Sequence, residues 1–138
     1  MAEVNLSIDP ATVFYIVVEA RIYDEKTPVV NPDPASNDSD EAEREILEDQ
    51  PGDLTAQELR TALENLNVDQ KLDLMALTWI GRGDFTIEEW DDARRQAADM
   101  RHEHIPRYLM ETPLLSDYLE EAMSALGYSL EDYEREHL

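Results

Sequence analysis

The amino-acid sequence predicts an all-α protein, a single compact domain of about five to seven short helices. Apolar residues recur at three- and four-residue spacing along much of the chain, which is typical of one helix face. Residues suited to helix ends stand at the ends of those stretches. The chain has 138 residues, 42% of them hydrophobic, which is enough for the core of one ordinary domain. We therefore predict one helical domain over residues 1–138.

The first predicted helix spans about residues 9–24. Asp9 can cap it, and Pro10 suits the first helical position, where no backbone N–H is needed. The centre of this stretch, residues 13–18, is rich in β-branched and aromatic side chains, so a buried strand is the alternative. The cap and the continuation through residues 19–21 favour the helix.

A region with little helical pattern follows. Three prolines and a cluster of Asn, Asp and Ser residues predict a loop over residues 27–41. A short acidic helix is expected over residues 40–47. The dipeptide Pro51-Gly52 is a turn signal within a linker over residues 48–53.

The helical pattern strengthens after this linker. Thr55 and Glu58 stand at capping-box spacing, which predicts the start of a helix. The next helix, over residues 68–80, is apolar well past one face. We therefore expect it at the centre of the fold, with Trp79 packed inside.

Three further helices complete the prediction. A second capping box, Thr86 with Glu89, opens a helix over residues 86–101. A helix over residues 112–126 begins with Thr-Pro and stops at Gly127, which follows the preference for proline at helix starts and glycine after helix ends. A last short helix is expected near the C-terminus.

The net charge of the chain limits the kinds of partner that it can bind. Thirty-three acidic side chains face eleven basic ones, giving a formal net charge of −22. Direct nucleic-acid binding needs Lys and Arg residues that replace counterions along the phosphates, and anionic membranes also attract basic segments. We expect neither kind of partner. The charge favours basic partners or cations, and solubility alone is the alternative explanation.

The absence of cysteine excludes disulfides, thiolate catalysis and Cys-based zinc sites. The N-terminus lacks the positive and apolar regions of a signal peptide. The longest apolar run, residues 13–18, is too short to cross a bilayer. We therefore expect a cytoplasmic protein.

The segment GRGDFTIEEW, residues 81–90, looks most like a functional motif. Its later positions match a calcium-binding EF-hand loop, but the first ligand positions fall on Thr78, Ile80 and Arg82. Isoleucine supplies no oxygen ligand, and arginine adds a positive charge beside the ion. The Arg-Gly-Asp tripeptide needs an exported, exposed loop for adhesion. We interpret the segment as a turn, in which two glycines permit left-handed backbone after a helix.

The pair His102 and His104 is the one local group that resembles a metal site. On a helix, residues two apart do not share a face. In an extended segment they would share one, and Pro106 favours extended geometry just before it. A polar helix end is the simpler interpretation. No serine-hydrolase, Walker or zinc-protease motif occurs, so we predict no catalytic residue and no cofactor.

The chain contains four distinctive stretches in a fixed order: NPDPASNDSDE, ILED, LNVDQKLDLMALTWIGRGDF and YLMETPLLSDYLEEAMSALG. Together they resemble the small bacterial proteins of domain-of-unknown-function family 3775, over nearly the whole chain. The resemblance implies a soluble, mostly helical bacterial protein and implies no activity. Several loop and turn residues in or beside these stretches are candidates for a shared interaction surface, if the fold brings them together: Asp33, Pro34, Asn37, Arg82, Asp84, Thr112 and Pro113.

We therefore predict a non-enzymatic, acidic binding or adaptor protein whose partner presents a basic protein surface. One alternative is a metal-dependent protein or enzyme that uses His102 and His104 with nearby carboxylates. Others are a nucleic-acid mimic and a homo-oligomeric structural module. The sequence favours no particular oligomeric state.

Overall fold

The computed structural model describes residues 4–26 and 53–137, and these residues form seven α-helices. Two 3-10 turns, Ile87–Glu89 and His102–His104, precede the fourth and fifth helices. No strand occurs in either described range, so the prediction of an all-α fold is confirmed. The helices are α1 (Pro10–Lys26), α2 (Asp53–Glu64), α3 (Val68–Arg82), α4 (Trp90–Ala98), α5 (Ile105–Met110), α6 (Leu115–Ala125) and α7 (Leu130–His137).

Three predicted features fall on the part of the chain between α1 and α2. They are the loop over residues 27–41, the short acidic helix over residues 40–47 and nearly all of the linker over residues 48–53. They lie outside the described residues.

α1 is a continuous helix, including the stretch for which a strand was the alternative. Asp9 Oδ1 accepts the backbone N–H of Ala11 at 2.8 Å, and Pro10 is the first helical residue. β-Branched side chains have a modest helix propensity, so tertiary packing must supply much of the stability of this helix. The side chains that supply it are fully buried: Val13, Ile16 and Val17.

α3 lies at the centre of the fold, as predicted. It packs against α4, α5 and α6, and residues 73–79 are all buried, including Trp79. Asn67 and Gln70 begin the helix with a capping box, in which each side chain accepts the backbone N–H of the other at 2.8 Å. The start of α3 is therefore fixed locally, and its position in the core is fixed by packing.

The two glycines at the end of α3 have different functions. Gly83 adopts φ +95° and donates its N–H to Ile80 at 3.1 Å, which ends the helix in left-handed backbone. Gly81 is helical. A Cβ atom at Gly81 would lie 1.8 Å from the carbonyl oxygen of Tyr118 in α6. The prediction of left-handed backbone is thus right for Gly83 and wrong for Gly81, whose missing side chain lets two helices touch.

The start of α6 differs from the prediction. Thr112 and Pro113 precede the helix, which begins at Leu115. Leu114 adopts left-handed backbone, with φ 61° and ψ 25°, and so interrupts the helical path. The hydroxyl of Thr112 donates backward to the carbonyl of Tyr108 at 2.7 Å. The Thr-Pro pair therefore closes the turn after α5 and does not open α6.

The short helix α5 has no counterpart in the prediction. Pro106 lies in its first turn, where a missing N–H is harmless. The preceding histidines form a 3-10 turn, which differs from the extended segment that was the alternative to a polar helix end. A six-residue helix is unstable alone, and packing of its apolar side chains stabilises it here. Ile105 and Leu109, four residues apart, are both buried.

Two capping predictions have different outcomes. The carboxylate of Glu89 accepts the backbone N–H of Thr86 at 2.8 Å, so the capping box before α4 is confirmed. α2 begins at Asp53, two residues earlier than expected, so Thr55 lies within its first turn.

Substitution of Gly81 by alanine should strongly destabilise the fold. The new methyl group would overlap a backbone oxygen of Tyr118 that cannot rotate away, so α3 and α6 would have to separate. We expect the free energy of unfolding in urea to fall by about 3 kcal/mol.

Gly83→Ala is the matched control. No atom lies within 4 Å of a Cβ at Gly83, which leaves only the cost of left-handed backbone, about 1–2 kcal/mol. A larger loss of stability in Gly83→Ala than in Gly81→Ala would contradict the close contact between α3 and α6.

Candidate functional site

Three residues predicted for an interaction surface meet where α3 ends beside α5. Arg82 Nε lies 2.7 Å from Asp84 Oδ2, and the Arg82 guanidinium also interacts with the side chain of Tyr108 of α5. The buried hydroxyl of Thr112 bonds the backbone of the same tyrosine. We name this cluster the α3 corner and define it by these four residues and Trp79.

Two other residues predicted for the surface, Asp33 and Asn37, lie outside the described residues, as does Pro34. The α3 corner is therefore built from the second half of the chain, and the structure brings its members together from α3, the following turn and α5.

Tyr108 connects the α3 corner to the core. Hydrogen bonding with the Trp79 side chain lowers the pKa of the Tyr108 phenol; burial opposes this shift, and Arg82 adds to it. Hydrogen bonds with Asp84 and then Tyr108 raise the pKa of the Arg82 guanidinium, which stays positively charged. Trp79 also packs on Phe85, with ring centroids 5.9 Å apart. These contacts hold the end of α3 against α5.

Leu114 stands exposed near the α3 corner, at the start of α6. It is the one residue other than glycine with a positive φ in the described ranges, and 54% of it is exposed. Left-handed backbone costs a leucine about 1–2 kcal/mol. Its carbonyl oxygen accepts the N–H of Tyr118 at 3.1 Å. The strained residue therefore sets the direction in which α6 leaves the turn.

A buried ion pair lies deeper in the fold, and no sequence pattern predicted it. Asp73 of α3 is fully buried, and its Oδ2 accepts the backbone N–H groups of Ser7 and Ile8. Arg94 Nε of α4 lies 2.8 Å from Oδ1. Neither of these two atoms has an aligned hydrogen-bond partner, so charge attraction holds this contact. The carboxylate thus attaches the N-terminal segment to two helices.

Burial raises the pKa of Asp73, although the N–H groups of Ser7 and Ile8 and the charge of Arg94 oppose that shift. A raised carboxyl pKa can also mark a catalytic acid when the group faces a cleft. Asp73 has no exposed surface, and its oxygens face groups of the same chain. We therefore assign it a structural function.

The two histidines lie exposed in the 3-10 turn before α5. His102 Nε2 is 3.2 Å from Glu103 Oε1. No group of three or more His, Asp or Glu side chains within the described ranges is arranged to hold a metal ion. This part of the chain therefore supplies no third ligand beside His102 and His104.

Comparison with known protein families identifies the family of this chain. Residues 56–128, more than half of the sequence, match the family described as Protein of unknown function (DUF3775). The chain belongs to the DUF3775 family. The match includes the α3 corner and the Asp73–Arg94 pair, and two of the four stretches that resembled the family. The other two stretches, together with α1 and α7, lie outside it.

No curated protein and no solved structure matches the chain. The family description of DUF3775 assigns no activity. Among the described helices, none combines the length and the apolar character needed to cross a membrane.

The Arg82–Asp84 pair should contribute little stability by itself. Its side chains are 37% and 43% exposed, and exposed ion pairs contribute about 0.2–1 kcal/mol. We expect a coupling energy in this range from a double-mutant cycle of Arg82→Ala and Asp84→Ala, measured by urea denaturation. Arg82→Ala should cost more than Asp84→Ala, because Arg82 also interacts with the side chain of Tyr108. An unchanged melting temperature in the double variant would contradict a structural attachment.

The buried carboxyl of Asp73 should give stability a specific pH dependence. Because its pKa is raised in the folded state, Asp73 favours folding most when protonated, and this contribution is lost as the pH rises through the raised pKa. Asp73→Asn removes the titration. The free energy of unfolding of the wild type minus that of the variant should fall as the pH rises above about 4, by at most about 1.4 kcal/mol per pH unit.

Urea titrations of both proteins at each pH measure this difference. Asp91→Asn, on the exposed side of α4, controls for the loss of one negative charge. A wild-type-minus-variant difference that rises with pH would contradict the raised pKa of Asp73.

Proposed function

We propose that this DUF3775 protein is a non-enzymatic binding module whose partner presents a basic protein surface. The proposal rests on one observation, which is that arginines of this chain already form ion pairs with carboxylates of the same chain. In the described ranges, six arginines lie within ion-pair distance of carboxylates: Arg21, Arg82, Arg94, Arg95, Arg107 and Arg135. The full chain has 33 acidic and 11 basic side chains. An excess of carboxylates is therefore left for contacts outside the chain.

Arg21 is shared between two carboxylates. One of its guanidinium nitrogens lies 2.7 Å from Glu120 and 3.3 Å from Asp117, so a single cation forms ion pairs with two acidic residues of α6. Nearby, burial and then the negative charge of Asp117 raise the pKa of Asp24. A basic surface brought to such a region would relieve repulsion between carboxylates.

Salt dependence tests the basic character of the partner. The partner would be captured by cross-linking in cells, produced separately and titrated with the full chain. Salt shortens the range of charge attraction from about 10 Å at 0.1 M to about 3 Å at 1 M. We therefore expect the Kd to rise about tenfold between about 0.05 M and about 0.5 M salt.

A partner variant with glutamine in place of its cross-linked lysines and arginines is the matched control, and its affinity should lose this salt dependence. An affinity that does not change with salt would overturn the proposal. So would a cross-linked surface that is neutral or acidic.

A further inference from the structure

We infer that a cationic, amphipathic segment of the partner docks in two adjoining grooves, one between α1 and α2 and the other between α1 and α7. This inference rests on the proposed function and adds the location and the chemistry of the contact. We name the surface the α1 face and define it by the residues whose exposed side chains form it: Tyr15, Leu54, Glu58, Tyr128, Asp132 and Glu136.

The first groove lies between α1 and α2 and has a volume of about 460 Å³. Two large side chains that line it are unusually open to solvent: Tyr15 is 40% exposed and Leu54 is 62% exposed. Burial, followed by the negative charges of Glu19 and Glu58, raises the pKa of the Tyr15 phenol. The groove therefore combines apolar surface with a negative potential.

The second groove lies between the start of α1 and α7 and has a volume of about 310 Å³. Phe14 and Tyr133 form its aromatic floor, with ring centroids 5.6 Å apart. Tyr128, which is 42% exposed, lies at its edge, and the exposed carboxylates of Asp132 and Glu136 border it. Aromatic faces beside carboxylates are the surroundings that bind guanidinium and ammonium groups.

The two grooves are neighbours, because consecutive residues of α1 line them: Tyr15 lines the first and Phe14 the second. No lysine or arginine lines either groove in the part of the chain that the structure describes. Arg135 reaches Asp132 from outside the second groove at 3.6 Å, with 71% of its side chain exposed. Such an exposed pair is weak, and a cation from a partner can replace it.

Charge decides which occupant fits the α1 face. A second copy of this chain would bring the same excess of carboxylates, and like charges repel. The N-terminal ends of α1 and α7 lie at the second groove and carry partial positive charge. Asp9 and Asp132, at the starts of these helices, offset this positive charge. An arginine-bearing segment can place its guanidinium groups on the carboxylates, its aliphatic stems on the tyrosines and an apolar residue beside Leu54.

A short peptide tests this occupant directly. The probe is a blocked peptide of alternating arginine and leucine, and its control replaces every arginine by citrulline, which has the same shape without the charge. Both are titrated into the full ¹⁵N-labelled chain. We expect shifts of amide signals concentrated in α1, α2 and α7, and an affinity about tenfold weaker for the citrulline peptide.

Substitutions of exposed residues locate the site without disturbing the core. Tyr15→Ala combined with Tyr128→Ala should weaken binding of the arginine peptide about fivefold, and Glu58→Gln combined with Glu136→Gln should do the same. Val68→Ala and Glu88→Gln change an exposed apolar side chain and an exposed carboxylate outside both grooves. These controls should bind as the wild type does, and melting curves confirm that each variant is folded.

The outcomes separate this inference from the proposed function. An absence of amide shifts in α1, α2 and α7, or unchanged affinity in both α1-face double variants, would overturn the docking site. The salt-dependent binding of the captured partner would still support a basic partner in that case. Equal binding of the arginine and citrulline peptides would overturn the cationic occupant. A partner with salt-independent affinity would overturn both proposals.

Discussion

The arrangement of the helices depends on the contact between α3 and α6 at Gly81. With any side chain at this position, a carbon atom would lie 1.8 Å from the backbone oxygen of Tyr118. α3 also packs on α4 and α5, and α6 packs on α1. The approach at Gly81 therefore fixes the spacing of α3 and α6, through which the helices that pack on α3 are connected to α1.

Charged groups act differently in the interior and on the surface of this protein. Inside, Asp73 loses all contact with water, which is costly, and two backbone N–H groups with Arg94 offset part of that cost. The result is a defined position for the N-terminal segment. On the surface, carboxylates keep their hydration, and each one costs little. A buried carboxylate thus holds two segments of the chain together, whereas exposed carboxylates attract positive charge over a longer range.

The sequence predicts helix ends better than it predicts contacts between helices. Asp9 and Thr86 act on groups within three residues, so the local pattern contains all the information. Gly81 resembles a turn glycine because the atom that requires it belongs to a distant helix. The six-residue helix α5 has too short a pattern to be recognised, and its stability comes from packing in the finished core.

The same limit applies to the candidate sites. Arg82 and Asp84 could be predicted as one unit because only a glycine separates them, whereas Tyr108, which links them to α5, belongs to another helix. Asp73 carried one usable signal, its place in the apolar centre of α3, which requires a buried partner. The second groove has an even weaker local pattern, since Phe14 and Tyr133 each look like ordinary members of an apolar stripe. Only the packing of α7 on α1 brings their rings to 5.6 Å, so a groove of this kind arises from tertiary structure and not from a motif.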